Sequence, residues 1–270
     1  MRINFLLAIL GLSVTILCPA QEKRALIIAI DKYTPPGDYQ PTGTSRSKFM
    51  DLEGCVNDGR SIQSVVTSRF QFPADQVDTL YNEAASRAGV FKAMNTLLTN
   101  SKPGDIAFIY YAGHGSQVPN SLSKKEADKK DESMVPSDTW KPNVEDIRDK
   151  ELAEIYNRFI DKKIILTVIL DCCHSGSLSR GPQDPGKFRF MEDANYDAKD
   201  PSDPLIPEER KNGNFLIISA AQDNEFAQEQ RDEHNLPHGA FTIAFLQALI
   251  NTRNKGMITG KLNTGISKLL

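Results

Sequence analysis

Five short apolar runs constrain this chain more than any other feature. They are Arg24–Ile30 (RALIIAI), Val77–Tyr81 (VDTLY), Asp105–Tyr111 (DIAFIYY), Ile164–Leu170 (IILTVIL) and Phe215–Ser219 (FLIIS). Each is five to seven residues long and rich in β-branched and aromatic side chains. That length suits a buried strand better than a helix. Helical spacing of apolar residues fills the gaps at 54–70, 86–98 and 151–160, and again at 240–250 after the last run. Ser86 is placed to cap the second of these helices. Strands alternating with helices predict an α/β fold, with a mainly parallel central sheet flanked by helices on both faces. The stretches 31–53, 117–150 and 178–214 are polar or rich in Pro and Gly and read as loops, and another helix is expected to begin at Met257.

Two of the strands run directly into reactive side chains. The third ends in Tyr110-Tyr111-Ala112-Gly113-His114-Gly115-Ser116, the fourth in Asp171-Cys172-Cys173-His174-Ser175-Gly176. Sites in open parallel sheets form beyond the carboxyl ends of strands, so His114 and a cysteine are expected at one rim. A thiol attacks only as thiolate, and a nearby imidazole can take its proton. Glycines on both sides of His114 let the backbone turn sharply and approach a substrate. Strand alternation places Asp171 and Cys173 on one side and Cys172 on the other, so a single cysteine faces the cleft.

A histidine 59 residues ahead of the cysteine fits the caspase pattern. The two motifs resemble those of the caspase-like cysteine peptidases, and most closely their metacaspase branch, of the bacterial type with a signal peptide. The resemblance covers about 23–270. It implies a three-layer caspase-like sandwich, with a large-subunit-like part to about residue 178, a flexible loop over 178–214 and a small-subunit-like part over 215–270. It implies a cysteine endopeptidase cutting protein or peptide substrates after Arg or Lys. Cys173, directly before His-Ser-Gly, is then the nucleophile and His114 its base. The backbone N–H groups of Gly115 and Cys173 form the oxyanion site. Asp58 and Asp171 line an acidic pocket, the segment beginning Ser219 and containing Asp223 forms a substrate wall, and Asp223 and Glu229 add negative charge. Carboxylates in such a pocket pair with a guanidinium and reject an acidic side chain. No cofactor is implied except calcium, for which Asp131 and Asp149 match two ligand positions; Lys150 and Arg180 stand where two further aspartates are expected. Some relatives cut themselves after a basic residue in the 178–214 region, which here contains Arg180, Lys187, Arg189, Lys199, Arg210 and Lys211. The family tends to be monomeric.

Composition narrows the setting. With 32 basic and 35 acidic residues interspersed, and a net charge of −3, the chain lacks the concentrated basic face of a nucleic-acid binder. Arg2, an apolar 5–17 and Cys18-Pro19-Ala20 read as a secretory signal peptide over 1–20, with an uncleaved anchor as the alternative. A periplasmic or secreted domain over 21–270, with no membrane span after cleavage, follows. Cleavage after Ala20 leaves three cysteines, an odd number that frees at least one thiol; a Cys55–Cys172 bridge stays open. The sequence ends inside a predicted helix, so a C-terminal continuation is expected. A catalytically silent caspase-like binding or signalling module, and a dyad preferring Asn or Asp, are the competing readings. A zinc site from His114, Cys172, Cys173 and His174 lacks the usual spacer between cysteines.

Overall fold

The computed structural model describes residues 21–39, 46, 48–173, 188–205, 207, 214–221 and 227–251. The signal-peptide segment and the helix expected from Met257 lie outside them. The five apolar runs form β1 (Lys23–Ala29), β2 (Val77–Tyr81), β3 (Ile106–Ala112), β7 (Ile165–Asp171) and β8 (Phe215–Ser219), paired in parallel in the order β2-β1-β3-β7-β8. The helices are α1 (Cys55–Ser68), α2 (Arg87–Asn100), α3 (Asp149–Asp161) and α4 (Ala240–Asn251). Ser86 caps α2 by accepting the Gly89 N–H at 3.2 Å.

Strand register fixes which helix covers which face. Ile27 of β1 is level with Tyr110 of β3, which is level with Ile169 of β7. Gly59 of α1 packs on Ile27 and Ala29, and Tyr110 bonds Thr242 of α4 at 2.7 Å, so α1 and α4 share that face. Leu166, Val168 and Leu170 point the other way, level with Phe215, Ile217 and Ser219. There α3 packs, with Tyr156 against Phe215, and α2 lies beside it. This is a three-layer α/β sandwich whose core is the apolar cluster that the central strands β1, β3 and β7 share with the helices on either face.

One expectation fails. The polar stretch over 117–150 is not simply a loop. It holds most of a small antiparallel sheet of β4 (Gly115–Pro119), β5 (Lys130–Met134) and β6 (Ile147–Arg148). These strands carry no apolar run; Val118, Asp131 and Ser133 face inward, with Ser133 Oγ donating to Asp146 and Asp131 accepting from Arg148. A further hairpin joins β9 (Glu229–Arg231) to β10 (Pro237–Gly239).

Candidate active site

Parallel register aligns Ala112 with Asp171. His114 and Cys173 each follow two residues later, at the same rim of neighbouring strands. Both are fully buried. The imidazole is held by groups from the loop between β1 and α1. Its Nε2 lies 2.8 Å from the Met50 carbonyl, its ring packs on Tyr33 at 4.7 Å, and its backbone N–H donates to the Tyr33 hydroxyl at 2.9 Å. The Tyr111 hydroxyl donates to the His114 carbonyl at 2.7 Å. Gly113 is required here, because a Cβ would sit 2.5 Å from the Tyr33 oxygen and 2.6 Å from that of Tyr111. His114 Nδ1 has no hydrogen-bond partner among the described residues. Burial pushes the imidazole pKa down to about 4, against the pull of the Met50 carbonyl.

Cys173 packs with Phe190, Ala227, Ala220 and Ala221, while Cys172 belongs to the main core. The alternation expected of the two cysteines holds. The Cys173 sulfur accepts the Ala227 N–H at 2.6 Å. Burial raises its thiol pKa to about 12, with the Ala227 N–H opposing. Cys55, Cys172 and Cys173 are all free thiols, so no Cys55–Cys172 bridge forms. His174, Ser175 and Gly176 lie outside the described residues.

The backbone N–H groups of Gly115 and Cys173 converge on one oxygen. Both donate to the Arg189 carbonyl, at 2.9 and 3.1 Å. The same residue sends its side chain into the acidic pocket. Its guanidinium reaches Asp171 at 2.8 Å, Glu229 at 3.4 Å, and Asp58 in a close ion pair. Arg189, Asp58 and Asp171 are all 0 % exposed. Asp58 also accepts from His238 Nδ1 at 2.7 Å and from the Gly239 N–H at 2.8 Å. Thr242 donates to Asp171 at 2.6 Å. Glu229 is fixed by the Gly54 N–H at 2.8 Å and the Glu53 N–H at 3.0 Å. Burial raises the Asp58 pKa, and the Arg189 and His238 charges pull it back. Gly239 leaves room for the guanidinium, since a Cβ there would meet Arg189 Nη1 at 2.5 Å.

The neighbours of Arg189 lie in the same groove as an extended peptide. Phe188 bridges Gln228 in antiparallel fashion, the Arg189 N–H donates to the Ala227 carbonyl at 2.9 Å, and Phe190 bridges Gly115. Met191 N–H continues to the Gly115 carbonyl at 2.9 Å. Sequence reasoning placed Arg189 only among the basic residues of a loop. Its role as occupant of the pocket left no local signal, because Asp58 is 131 residues away.

The remaining candidates scatter. Ser219 is exposed and level with Leu170, on the α3 face, where it lines a cavity of about 660 Å³; it is not brought to the acidic pocket. Asp223 lies outside the described residues. Asp131 and Asp149 sit together on the small sheet and the first turn of α3, remote in the fold from Arg189. Asp131 is fully buried between Arg148 and Lys150, at 2.8 Å from each. Asp149 accepts the Lys150 N–H at 2.8 Å; burial and the Asp131 charge raise its pKa to about 7. Both Asp131 oxygens thus face cationic nitrogens and one Asp149 oxygen accepts a backbone N–H, where a calcium ion needs several oxygens. Asp31, Cys55 and Glu229 also approach closely enough to share an ion, but Asp31 accepts the Cys55 N–H at 2.8 Å and Glu229 is held at Gly54.

No helix among the described residues is long and apolar enough to cross a membrane. The sequence matches the family described as Metacaspase, peptidase C14 domain, over residues 23–182. It is 33% identical over 135 residues to metacaspase-9 of Arabidopsis thaliana, covering 47% of this chain and 39% of that protein. It is 27% identical to metacaspase-2 of the same plant over 249 residues, covering 89% of this chain and 54% of that one. With metacaspase-2 of Trypanosoma brucei brucei it shares 30% identity, over 59% of this chain and 43% of the relative. The chain thus spans about one third to just over one half of the length of the curated relatives it matches. The crystal structure of protein GSU0716 from Geobacter sulfurreducens has the same fold, with a TM-score of 0.64 over 92% of this chain and 89% of that one, at 22% identity. The family match runs through the histidine and cysteine motifs and covers more than half of the sequence, and the chain belongs to the metacaspase family of the peptidase C14 domain.

Proposed function

We propose that the chain is a cysteine endopeptidase that hydrolyses peptide bonds after Arg or Lys, with Cys173 as nucleophile and His114 as base. One observation carries this reading: Arg189 lies in the groove as a substrate arginine would, guanidinium among three carboxylates and carbonyl on two N–H donors. An incoming peptide takes that place, pairing with Ala227 and Gln228. The Cys173 sulfur adds to the carbonyl carbon as His114 takes the thiol proton. The oxygen becomes an oxyanion facing the Gly115 and Cys173 N–H groups, donors aimed where charge develops. The carbon–nitrogen bond then breaks, His114 returns the proton to the leaving amine, and water cleaves the thioester. With the thiol at about 12 and the imidazole at about 4, the proton rests on sulfur while Arg189 fills the groove. The self-occupied form therefore holds no thiolate–imidazolium pair, and proton transfer accompanies attack.

The bond that this arrangement presents is Arg189–Phe190. We take it as the site of intramolecular cleavage, in preference to the other basic residues of the 178–214 region. Export to the periplasm or beyond, and action as a monomer on protein substrates, complete the proposal.

A fluorogenic panel with Arg, Lys, Asp and Asn before the scissile bond tests it. Arg and Lys peptides are turned over by wild type and not by Cys173→Ala. Equal turnover by both proteins, or preference for Asp or Asn, would overturn the assignment, and the absence of any turnover would favour a silent binding module.

A further inference from the structure

A second buried charge cluster lies at the start of α3. Lys150 is 6% exposed, and its Nζ is 2.8 Å from Asp131 Oδ1, 2.7 Å from Asp203 Oδ1 and 2.9 Å from Ser123 Oγ. The three oxygens come from three separate segments. The other oxygen of Asp131 takes Arg148 at 2.8 Å and Asn120 at 2.9 Å, and Arg148 reaches on to Asp200 at 2.5 Å. Burial works against the Lys150 charge, but hydrogen bonds to Asp131 and Asp203 outweigh it and raise its pKa. The Lys150 ammonium holds the Asp203 carboxyl down to about 2.

A hard divalent ion needs six or more oxygens at short range. Here a fixed ammonium sits among the oxygens, and a guanidinium shares the most buried carboxylate. A divalent ion at that point would meet like charge in a largely buried cluster, where such repulsion is stronger than in bulk water.

Asp200 and Asp203 belong to the segment that begins with Phe188 and Arg189. That strap runs along β4, with the Ala194 N–H on the Gln117 carbonyl and the Ala198 N–H on the Pro119 carbonyl, both at 2.8 Å. Lys150 and Arg148 therefore tie its far end to the body.

We propose that the Lys150 ammonium is a built-in cation that stands where a divalent ion would otherwise bind, and that it fastens the 191–203 strap without one. The strap's closure is then indifferent to calcium and to chelators. The inference rests on the cluster alone and stands whether or not the peptidase reading does.

Amide hydrogen exchange over 191–203, measured on the full chain carrying Cys173→Ala with calcium chloride or with EDTA, reads the fastening directly. Protection is expected to be the same in both. Lys150→Met is expected to raise strap exchange by about tenfold or more, because it strands buried carboxylates, and calcium is not expected to restore it. Asp203→Asn, a milder change on the strap itself, is expected to raise exchange several-fold and keeps the test alive if Lys150→Met does not fold. Lys150→Asp replaces the ammonium by a further carboxylate and leaves Arg148 as the remaining cation, so its strap is expected to become protected only when calcium is added. Saturable calcium heats by calorimetry or calcium-dependent protection in the unsubstituted cluster would overturn the proposal. So would unchanged exchange in Asp203→Asn, or a Lys150→Asp strap that ignores calcium.

Discussion

Among the described residues, two nests of carboxylates are reciprocal, one buried and the other partly so. At the acidic pocket the body supplies Asp58, Asp171 and Glu229 and the strap supplies the cation, Arg189. At the start of α3 the strap supplies Asp200 and Asp203 and the body supplies the cations, Arg148 and Lys150. Both nests desolvate charge and both compensate it. Only the first adjoins two convergent N–H groups, a thiol and an imidazole. A compensated charge cluster is thus a fastening; what turns one into a reaction site is the row of groups aimed at a single carbonyl beside it.

The largest break in that comparison is at the sulfur. Cys173→Ala is expected to lower kcat/KM on Arg peptides by at least about 10⁴-fold, and intact mass should show no fragment beginning at Phe190. In wild type that fragment is expected. Next comes the pocket: Asp58→Asn removes one partner of a buried pair, and kcat/KM for Arg peptides is expected to fall by about 10²-fold or more. The equivalent loss in the α3 nest should leave peptide selectivity alone, so the Arg-to-Asp preference of Lys150→Met is expected to match wild type. Gly239→Ala crowds the guanidinium at 2.5 Å; Arg peptides are expected to lose about tenfold and Lys peptides less, because an ammonium is narrower. A steady-state comparison of the two peptides reads the difference.

The smallest effect is in pH. The Asp58 hydrogen bond raises the His238 pKa above 6.5, with burial opposing. A raised histidine pKa stabilises the fold in full below pH 6.5, and that contribution fades as pH climbs through the raised value. His114, pushed down to about 4 by burial, acts with the opposite sign: stability falls as pH drops from 6.5 toward 4. Thermal melts of wild type and His238→Gln should therefore differ most below pH 6.5 and converge above the raised value. A constant gap across the range would remove His238 from the pocket's electrostatics.

Much of this was legible in the sequence because burial writes itself into local pattern. RALIIAI, DIAFIYY and IILTVIL are covered on both faces and are apolar but for Arg24, Asp105 and Thr167, so β1, β3 and β7 were plain. The shared rim of His114 and Cys173 followed from their place after such runs. The sheet β4–β6 was not legible, since Lys130, Asp131, Glu132 and Ser133 are stabilised by pairing across the fold instead of by apolar burial. The occupant of the pocket was invisible for the same reason. Arg189 bonds Asp58 across 131 residues, and nothing in its neighbours marks it apart from the other basic residues of that region. Asp58 and Asp171 were named as a pair, but His238 and Gly239, which complete the pocket from β10, carry no pattern beyond standing just ahead of an apolar helix.

Covalent labelling tests the central claim most directly. A peptide chloromethyl ketone ending in arginine, followed by mass mapping, is expected to alkylate Cys173 alone, faster in Arg189→Ala than in wild type because the groove is vacated. The matching aspartate reagent is expected to leave Cys173 unlabelled. Alkylation of Cys55 or Cys172 instead, or equal labelling of Cys173 by both reagents, would contradict the account.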